Sequence, residues 1–287
     1  MKILVLVIAS DQPQYIDMQA VWRSRVSPAD FDVWFIKSMS ADMWIWSNEC
    51  DCKNECDCKN ECKNECKNEC NCKNDCKNEC DCKNECDCKN DCKNECKNDC
   101  KNECNCKNEC KNNIGICEDS QTIFVKQDET FIPGILNKTV AALDYFLNRH
   151  KYTHVWRTNL SSVLDFDGLR LFLLSDAGRR CSYAGFCGDG FASGAGFLMI
   201  REAAFYLVAN HSLVLSWDII DDVAIGRLLC PVFGLTHIER LWVNSIDAPI
   251  SDSLLDGIFH FRCESSGHIN TVPLMRKVCD VIESLTA

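Results

Sequence analysis

The sequence predicts an α/β protein, a three-layer α/β/α sandwich built around a mostly parallel central sheet. Two observations lead to this class. Lys2–Ala9 (KILVLVIA) is an almost unbroken run of β-branched residues and leucine, which is typical of a strand buried on both faces of a parallel sheet. Further along the chain, short apolar runs alternate with segments of helical periodicity, and this alternation indicates helices that cover both faces of such a sheet.

Each later strand is predicted from a short run rich in β-branched and aromatic residues. In chain order these runs are Phe31–Ile36, Thr122–Val125, Thr153–Arg157, Ser182–Gly185, Phe197–Ile200 and Ile258–Phe261. A further element is expected to begin at Met43–Trp46. The stretch Gly188–Gly196 is rich in glycine and serine, so we expect either a turn before the next strand or a backbone that a sugar or phosphate can approach closely.

Each helix is predicted from apolar side chains that recur on one face of a 3.6-residue repeat. The predicted helices are Tyr15–Arg25, Pro133–His150, Asp167–Ser175, Arg201–Asn210, Asp221–Leu229 and Pro273–Leu285. The second of them shows the pattern most clearly, because Leu136, Val140, Leu143 and Leu147 follow one another at steps of three or four residues.

A low-complexity, cysteine-rich insert divides the predicted domain into residues 1–48 and 112–287. Residues 49–111 hold 19 of the 25 cysteines, in repeats of KNEC or KNDC and of a longer unit with an added DC or NC. Cysteine is almost the only apolar side chain there, so no ordinary core can form and disorder is expected. The thiolates could bind metals or form redox-sensitive disulfides. A repeat expansion tolerated in a surface loop is the simpler interpretation, because loop closure costs little with added length.

The net charge of −11 argues against a nucleic-acid partner, because an acidic chain lacks the broad cationic surface that nonspecific binding needs. No run approaches the roughly 20 apolar residues of a membrane helix. The first apolar run also lacks a small-residue cleavage site. We therefore expect no transmembrane segment and a cytoplasmic location, which for a viral chain would be the cytoplasm of its host.

Polar segments near the carboxyl ends of the predicted strands are the places to look for a ligand site, because ligands of α/β sheets bind at that edge. Three segments qualify: Arg157–Ser162, Gly188–Gly196 and Trp217–Asp222. In the third, the adjacent carboxylates of Asp221 and Asp222 at a helix start point to different faces. One of them can therefore stabilise the helix start while the other faces a cleft.

Four motifs occur in an order that resembles the GT-A glycosyltransferases, in particular the beta-1,3-galactosyltransferase and fringe group and related enzymes of large DNA viruses. The resemblance covers Phe124–Gly226. Its motifs are the acidic Asp128–Thr130 (DET) before Ile135–Thr139 (ILNKT), the strand and turn His154–Ser162 (HVWRTNLSS), the glycine-rich Phe191–Phe197 (FASGAGF) and Asp221–Gly226 (DDVAIG).

The resemblance implies transfer of a hexose from a nucleotide-diphosphate sugar, UDP-linked, to a hydroxyl acceptor such as a glycan, with inversion. Asp222 corresponds to the catalytic base of the family, and Asp221 is its catalytic neighbour. The donor would be bound by Ser10, Asp11, Arg23, Glu129, Lys138, Arg157, Thr158, Asn159 and Ser161. The pocket for the sugar and the acceptor would comprise Asp189, Ser193, Gly194, Ala195, Gly196 and Trp217, with the tryptophan stacking on the acceptor.

The sequence departs from the family at its metal motif. Where the family carries aspartates that bind a divalent cation and the diphosphate, this chain has Asn159-Leu160-Ser161. The resemblance implies Mn²⁺ or Mg²⁺ held by Asn159, Ser161 and the late His260, with basic residues such as the nearby Arg262 close to the diphosphate. Uncharged oxygens bind such cations weakly, so an arginine such as Arg157 is the alternative source of positive charge.

Two other interpretations stay open at this point. The departure at the metal motif also fits a catalytically inactive relative that binds a sugar nucleotide without turnover. The cysteine repeat also fits a metal-binding or thiol-redox protein for which the α/β domain serves as a scaffold.

Overall fold

A computed structural model of the chain describes residues 1–25, 27–40, 114–250, 255–264 and 270–286. The element expected at Met43–Trp46, the cysteine-rich insert and the domain boundaries predicted on either side of it lie outside these residues. By its internal contacts the chain divides into two units. One consists of Met1–Met39 with Ile116–Ala287 and contains nearly all of the described residues, and the other is Ser40–Gly115.

A mostly parallel central sheet organises the fold, which confirms the predicted α/β class. In the described part of the chain its eight strands are β1 (Ile3–Ile8), β2 (Phe31–Met39), β3 (Ile114–Cys117), β4 (Thr122–Lys126), β5 (His154–Asn159), β7 (Tyr183–Cys187), β8 (Ala192–Ile200) and β9 (Thr236–His237). Across the sheet they lie in the order β3-β4-β2-β1-β5-β8-β7-β9. The central strand β1 pairs in parallel with both of its neighbours, and β8 is antiparallel to both of its own.

A second, smaller sheet was not predicted from the sequence. It contains β6 (Ser162–Leu164), β10 (Leu241–Val243) and β11 (His260–Cys263), with β11 in the middle. Because β5 ends at Asn159 and β6 begins at Ser162, the chain passes from one sheet to the other through Leu160 and Ser161. The indole N–H of Trp22 donates to the Leu160 carbonyl over 3.0 Å and fixes this crossing.

Helices cover both faces of the central sheet, as the three-layer prediction requires. The helices are α1 (Pro13–Ser24), α2 (Gly134–Arg149), α3 (Phe166–Leu174), α4 (Asp176–Arg179), α5 (Arg201–Ala209), α6 (His211–Leu215), α7 (Asp221–Phe233) and α8 (Thr271–Thr286). On one face, Val7 of β1 joins a core cluster with Met18 of α1 and Leu274 of α8. On the other, the rings of Trp34 in β2 and Phe146 in α2 lie 4.9 Å apart. None of the helices in the described residues is long and apolar enough to cross a membrane.

The predicted strands and helices that fall on described residues all correspond to observed elements, and the largest difference concerns the start of β8. The sequence predicts a strand from Phe197, whereas the strand begins at Ala192. The turn interpretation of Gly188–Gly196 is therefore wrong for its second half. Gly194 and Gly196, whose low β-propensity argues against a strand, lie within β8, where neighbouring side chains pack closely against them.

Candidate functional site

The candidate site lies where β5 ends and β8 begins. The two strands run in opposite directions, and Thr158 pairs with Gly196, so the carboxyl end of β5 meets the amino end of β8 at one edge of the sheet. The hydroxyls of Thr158 and Ser162 both donate to the Ala195 carbonyl, over 2.6 and 2.7 Å. These bonds hold the turn after β5 against β8. The predicted donor residues and the predicted sugar pocket thereby share this edge.

A buried ion pair forms the inner part of the site. The guanidinium of Arg157, on β5, donates to the carboxylate of Asp221 at the start of α7 and to the Gly194 carbonyl. Arg157 is only 2% exposed and Asp221 only 7%. Buried charges persist in proteins when they are paired and hydrogen-bonded, and this pair satisfies both conditions. Asp221 therefore joins α7 to β5, with no solvent-facing carboxylate that an acceptor could reach.

Asp222, the next residue, is half-buried. Its Oδ2 accepts from the Gly194 N–H over 2.8 Å, and its Oδ1 accepts from the Val223 N–H over 2.9 Å. Both aspartates lie in the first turn of α7, where the helix dipole favours negative charge. Both carboxylates lie close to Gly194, Asp221 through the guanidinium of Arg157 and Asp222 through the Gly194 N–H. No side chain hydrogen-bonds as an N-cap of α7.

Two glycines of β8 lie directly against large side chains, and at Gly196 a Cβ atom has no room. A Cβ atom at Gly194 would lie 3.0 Å from Nη1 of Arg157 and 3.2 Å from Oδ2 of Asp222. A Cβ atom at Gly196 would lie 2.6 Å from the His260 ring and 2.8 Å from the Trp156 ring. The two glycines thus make room for the charged and aromatic groups of the site within a regular strand.

Arg262, on β11, is bonded to both residues of the degenerate metal motif. Its Nη1 donates to Oδ1 of Asn159 over 2.6 Å and to Oγ of Ser161 over 2.5 Å. Its Nε and Nη2 each lie 3.1 Å from Oε2 of Glu264. The guanidinium therefore stands among three oxygen-bearing side chains. The sequence gives no signal for this meeting, since Asn159 and Arg262 are more than one hundred residues apart.

Arg240 brings a second guanidinium group to the same edge. Its Nη1 donates to the hydroxyl of Ser193 over 3.0 Å, and its guanidinium lies 4.4 Å from the ring centroid of Phe186. Burial and then the neighbouring positive charge of Arg262 lower the pKa of Arg240. Two arginines are thus close enough to repel each other, and Arg240 is a site residue that sequence reasoning missed altogether.

His260 is buried against β8. It is 1% exposed, and its ring packs 5.3 Å from that of Trp156. Burial, followed by the charge of Arg240, lowers its pKa to about 3, so the ring is neutral at physiological pH. Among the described residues its Nε2 has no hydrogen-bond partner. The ring packs against Gly196, where a Cβ atom would lie 2.6 Å from it.

Two of the predicted donor residues, Lys138 and Glu129, are bonded to each other, and Lys138 is also bonded to the chain just after β1. Lys138 is 1% exposed, and its ammonium donates to Oε1 of Glu129 over 2.7 Å and to the Ala9 carbonyl over 3.1 Å. Burial lowers the pKa of Lys138, and the bond to Glu129 opposes that shift. Ser10 and Asp11 follow Ala9 directly. The Ser10 carbonyl accepts from the Gln19 amide, and Asp11 forms an exposed ion pair with Lys37.

Arg23 lies in a different part of the fold from the residues above. Its guanidinium is 4.1 Å from the ring centroid of Phe35 and donates to Ser120 and Thr122. It lines a cleft of about 260 Å³. The cleft is formed by Trp22, Arg23, Arg25, Ser27, Val33, Phe35, Asp119, Gln121 and Phe166, and Arg23 is the one predicted site residue among them.

Two predicted pocket residues lie at the exposed margin. Asp189 is exposed in the bend between β7 and β8. The ring of Trp217 is half-buried, with the guanidinium of Arg227 4.7 Å from its centroid. That contact joins Trp217 to α7.

The donor set at Asn159 and Ser161 does not fit a divalent cation. Both oxygens are uncharged and both accept from Arg262, and the nearby carboxylate of Glu264 is paired with the same guanidinium. Mn²⁺ and Mg²⁺ prefer several carboxylate or phosphate oxygens, and a cation placed here would meet a fixed positive charge. In the part of the chain that the structure describes, no group of three His, Cys, Asp or Glu side chains could hold a metal ion.

No protein-family model and no curated protein matches the sequence. Among solved structures, the chain is similar to the crystal structure of an active-site mutant of LgtC, a GT-A glycosyltransferase. The two share 9% identity, with 96% of this chain and 95% of the other covered and a TM-score of 0.39. At this TM-score the similarity carries no argument about function.

Proposed function

We propose that the protein is a glycosyltransferase that moves a hexose from a UDP-linked sugar to a hydroxyl acceptor, with inversion at the sugar. One observation carries the proposal. A fixed, half-buried carboxylate, that of Asp222, shares the carboxyl edge of the sheet with the guanidinium groups of Arg240 and Arg262. Sugar transfer from a nucleotide diphosphate needs these two things close together, a base for the acceptor and positive charge for the leaving group.

Asp222 is suited to the role of base. The Gly194 N–H and the Val223 N–H orient its carboxylate, while its partial exposure lets a substrate hydroxyl approach. In the proposed step the acceptor hydroxyl gives its proton to Asp222 and its oxygen attacks the anomeric carbon. The bond from that carbon to the diphosphate oxygen breaks, and its electron pair leaves with UDP. Attack opposite the leaving group inverts the anomeric centre.

Asp221 has a positioning role in this proposal. Its ion pair with Arg157 holds the first turn of α7 against β5, and the same arginine fixes the Gly194 carbonyl. Gly194 in turn orients Asp222 through its N–H. The buried pair therefore sets the direction of the base without touching a substrate.

In this proposal the nucleotide lies along the edge of the sheet, next to the remaining predicted donor residues. Ser10 and Asp11 end β1, and Lys138 anchors the adjoining loop through the Ala9 carbonyl. The residues that would face the diphosphate are at the end of β5. Arg23, in the cleft under α1, is left outside this path.

Isothermal titration and turnover assays with UDP-glucose, UDP-galactose and UDP-N-acetylglucosamine test the proposal. We expect one donor to bind and to be hydrolysed slowly, or transferred when an acceptor is supplied. Asp222→Asn should reduce turnover at least 100-fold and leave donor affinity nearly unchanged, because general-base catalysis contributes about 10²–10⁴-fold. Asp280→Asn, at an exposed position of α8, is the matched control.

Absence of binding and of hydrolysis with every donor would overturn the proposal. Donor binding without turnover by the wild-type chain, whatever acceptor is offered, would identify a catalytically inactive sugar-nucleotide-binding protein. Full activity of Asp222→Asn would remove the base assignment while leaving the donor site in place.

A further inference from the structure

Arg262 occupies the position that a cation would take in this site. Three oxygen-bearing side chains face its guanidinium: Asn159 and Ser161 from the turn after β5, and Glu264 two residues further along the chain from Arg262. The first two are the residues that stand where a metal motif is expected. Their oxygens point towards the arginine, so the group that they coordinate is a side chain of the protein itself.

Two guanidinium groups can face an anion near Asn159 and Ser161. Arg240 and Arg262 carry two positive charges, Glu264 is paired with Arg262, and the other nearby carboxylate, that of Asp222, is held by the Gly194 and Val223 N–H groups. Neutral groups complete the surroundings, namely the hydroxyls of Ser161 and Ser193 and the uncharged His260. Like-charged guanidinium groups repel at short range, and a bound diphosphate would relieve that repulsion.

The exposure of Arg262 allows a ligand to reach it. Its side chain is 14% exposed, compared with 3% for Arg157. Arg157 is almost fully buried and donates to Asp221 and to the Gly194 carbonyl, so a ligand does not reach it. Four of the five N–H groups of Arg262 face Asn159, Ser161 and Glu264, which leaves one N–H of Nη2 and the positive charge for a phosphate oxygen.

We propose that Arg262, supported by Arg240, takes the place of the divalent cation, so that the diphosphate of the donor is bound and released without metal. The inference rests on the proposed function and adds the manner in which the leaving group is stabilised. As the bond from the anomeric carbon to the diphosphate oxygen breaks, the negative charge that develops on the diphosphate is received by fixed N–H donors. Because the protein holds these donors in place beforehand, they need no reorganisation during the step.

Binding of UDP and of uridine, each measured by calorimetry in EDTA and in Mn²⁺, tests the proposal on the full chain. We expect wild-type affinity for UDP to be the same in both buffers within about twofold. Arg262→Gln should weaken UDP binding by about 10- to 100-fold, because a lost hydrogen bond to a charged group is worth that much. Uridine binding should not change, since uridine has no phosphate. Arg276→Gln, at an exposed position of α8, is the control.

Arg262→Lys keeps the positive charge but lacks the planar set of guanidinium N–H donors. It provides the test if Arg262→Gln fails to fold. We expect it to lose part of the affinity for UDP and to retain binding in EDTA. If EDTA abolished UDP binding by the wild type and Mn²⁺ restored it, the inference would be overturned while the proposed function stood. If neither UDP nor uridine bound in either buffer, the proposed function would fail and this inference with it. Equal UDP affinity of wild type and both Arg262 variants would refute the role of the arginine directly.

Discussion

Removal of the charge of Asp221 should destabilise the fold much more than the same change at its neighbour Asp222. Asp221→Asn keeps the shape of the side chain but leaves Arg157 buried without a counter-ion, and Lys138, a second buried cation, lies within electrostatic reach. Breaking a buried ion pair on one side costs about 3–5 kcal/mol. Both partners are less than one tenth exposed, so little of this cost is screened by solvent. For a domain of this size the loss corresponds to a fall in Tm of about 6–20 °C.

Urea unfolding followed by tryptophan fluorescence measures the free energy of unfolding of both variants. Asp222→Asn is the matched control. Its amide oxygen can still accept from one of the Gly194 and Val223 N–H groups, so the variant loses one hydrogen bond and a favourable charge at a helix start, together about 1–2 kcal/mol. Replacing Arg157 by Gln together with Asp221→Asn should recover part of the loss, since no unpaired charge remains. Equal losses in the two single variants, or a loss below about 1 kcal/mol for Asp221→Asn, would refute the assignment of the buried pair.

Three further predictions concern other parts of the chain. Gly196→Ala should lower the free energy of unfolding by about 1–3 kcal/mol in urea, because its Cβ would overlap the rings of His260 and Trp156, and an unchanged midpoint would contradict this. His260 has a folded-state pKa of about 3, below its unfolded value near 6.5, so the unfolded chain takes up the proton first. The contribution of the neutral His260 to the free energy of unfolding should therefore be fully present above pH 6.5 and fall as the pH is lowered towards 3. Urea titrations of His260→Gln should show a shallower fall with pH. Deletion of residues 49–111 should leave a soluble chain with wild-type UDP affinity, because a shorter loop closes at slightly lower entropic cost; insoluble protein would show that the insert is needed.

The main elements of the fold could be predicted because their apolar pattern is local. Lys2–Ala9 needed no partner to be recognised as a buried strand, and the helical spacing of the segment from Pro133 to His150 is visible over four turns. The small sheet could not be predicted in the same way. Its strands have three or four residues, and His260 pairs with Leu164 across nearly one hundred positions of sequence. Runs that short carry no periodicity, and only the pairing defines them.

The candidate site was predicted through the resemblance more than through local pattern. Asp222 and the turn Asn159–Ser161 were found because they occupy motif positions, and both lie at the edge of the sheet. His260, the predicted metal ligand, is buried against β8, because the absence of a side chain at Gly196 lets the ring pack against the strand. Arg240 remained undetected because a lone arginine in an irregular segment has no sequence signature, and its role arises only from its distance to Arg262.

An aspartate at position 159 separates the two explanations of the degenerate motif. Asn159→Asp restores a residue type that the resemblance leads one to expect, and its carboxylate would lie about 2.6 Å from Nη1 of Arg262. If the arginine is the internal cation, this carboxylate neutralises it, and UDP affinity in EDTA should fall by about tenfold or more, since a charge-assisted hydrogen bond is worth about 1.5–3 kcal/mol. If the site were instead a weakened metal site, the added carboxylate would improve it, and UDP affinity in Mn²⁺ would rise above that of the wild type. The two explanations thus predict changes of UDP affinity of opposite sign for Asn159→Asp, and calorimetry in EDTA and in Mn²⁺ measures which change occurs.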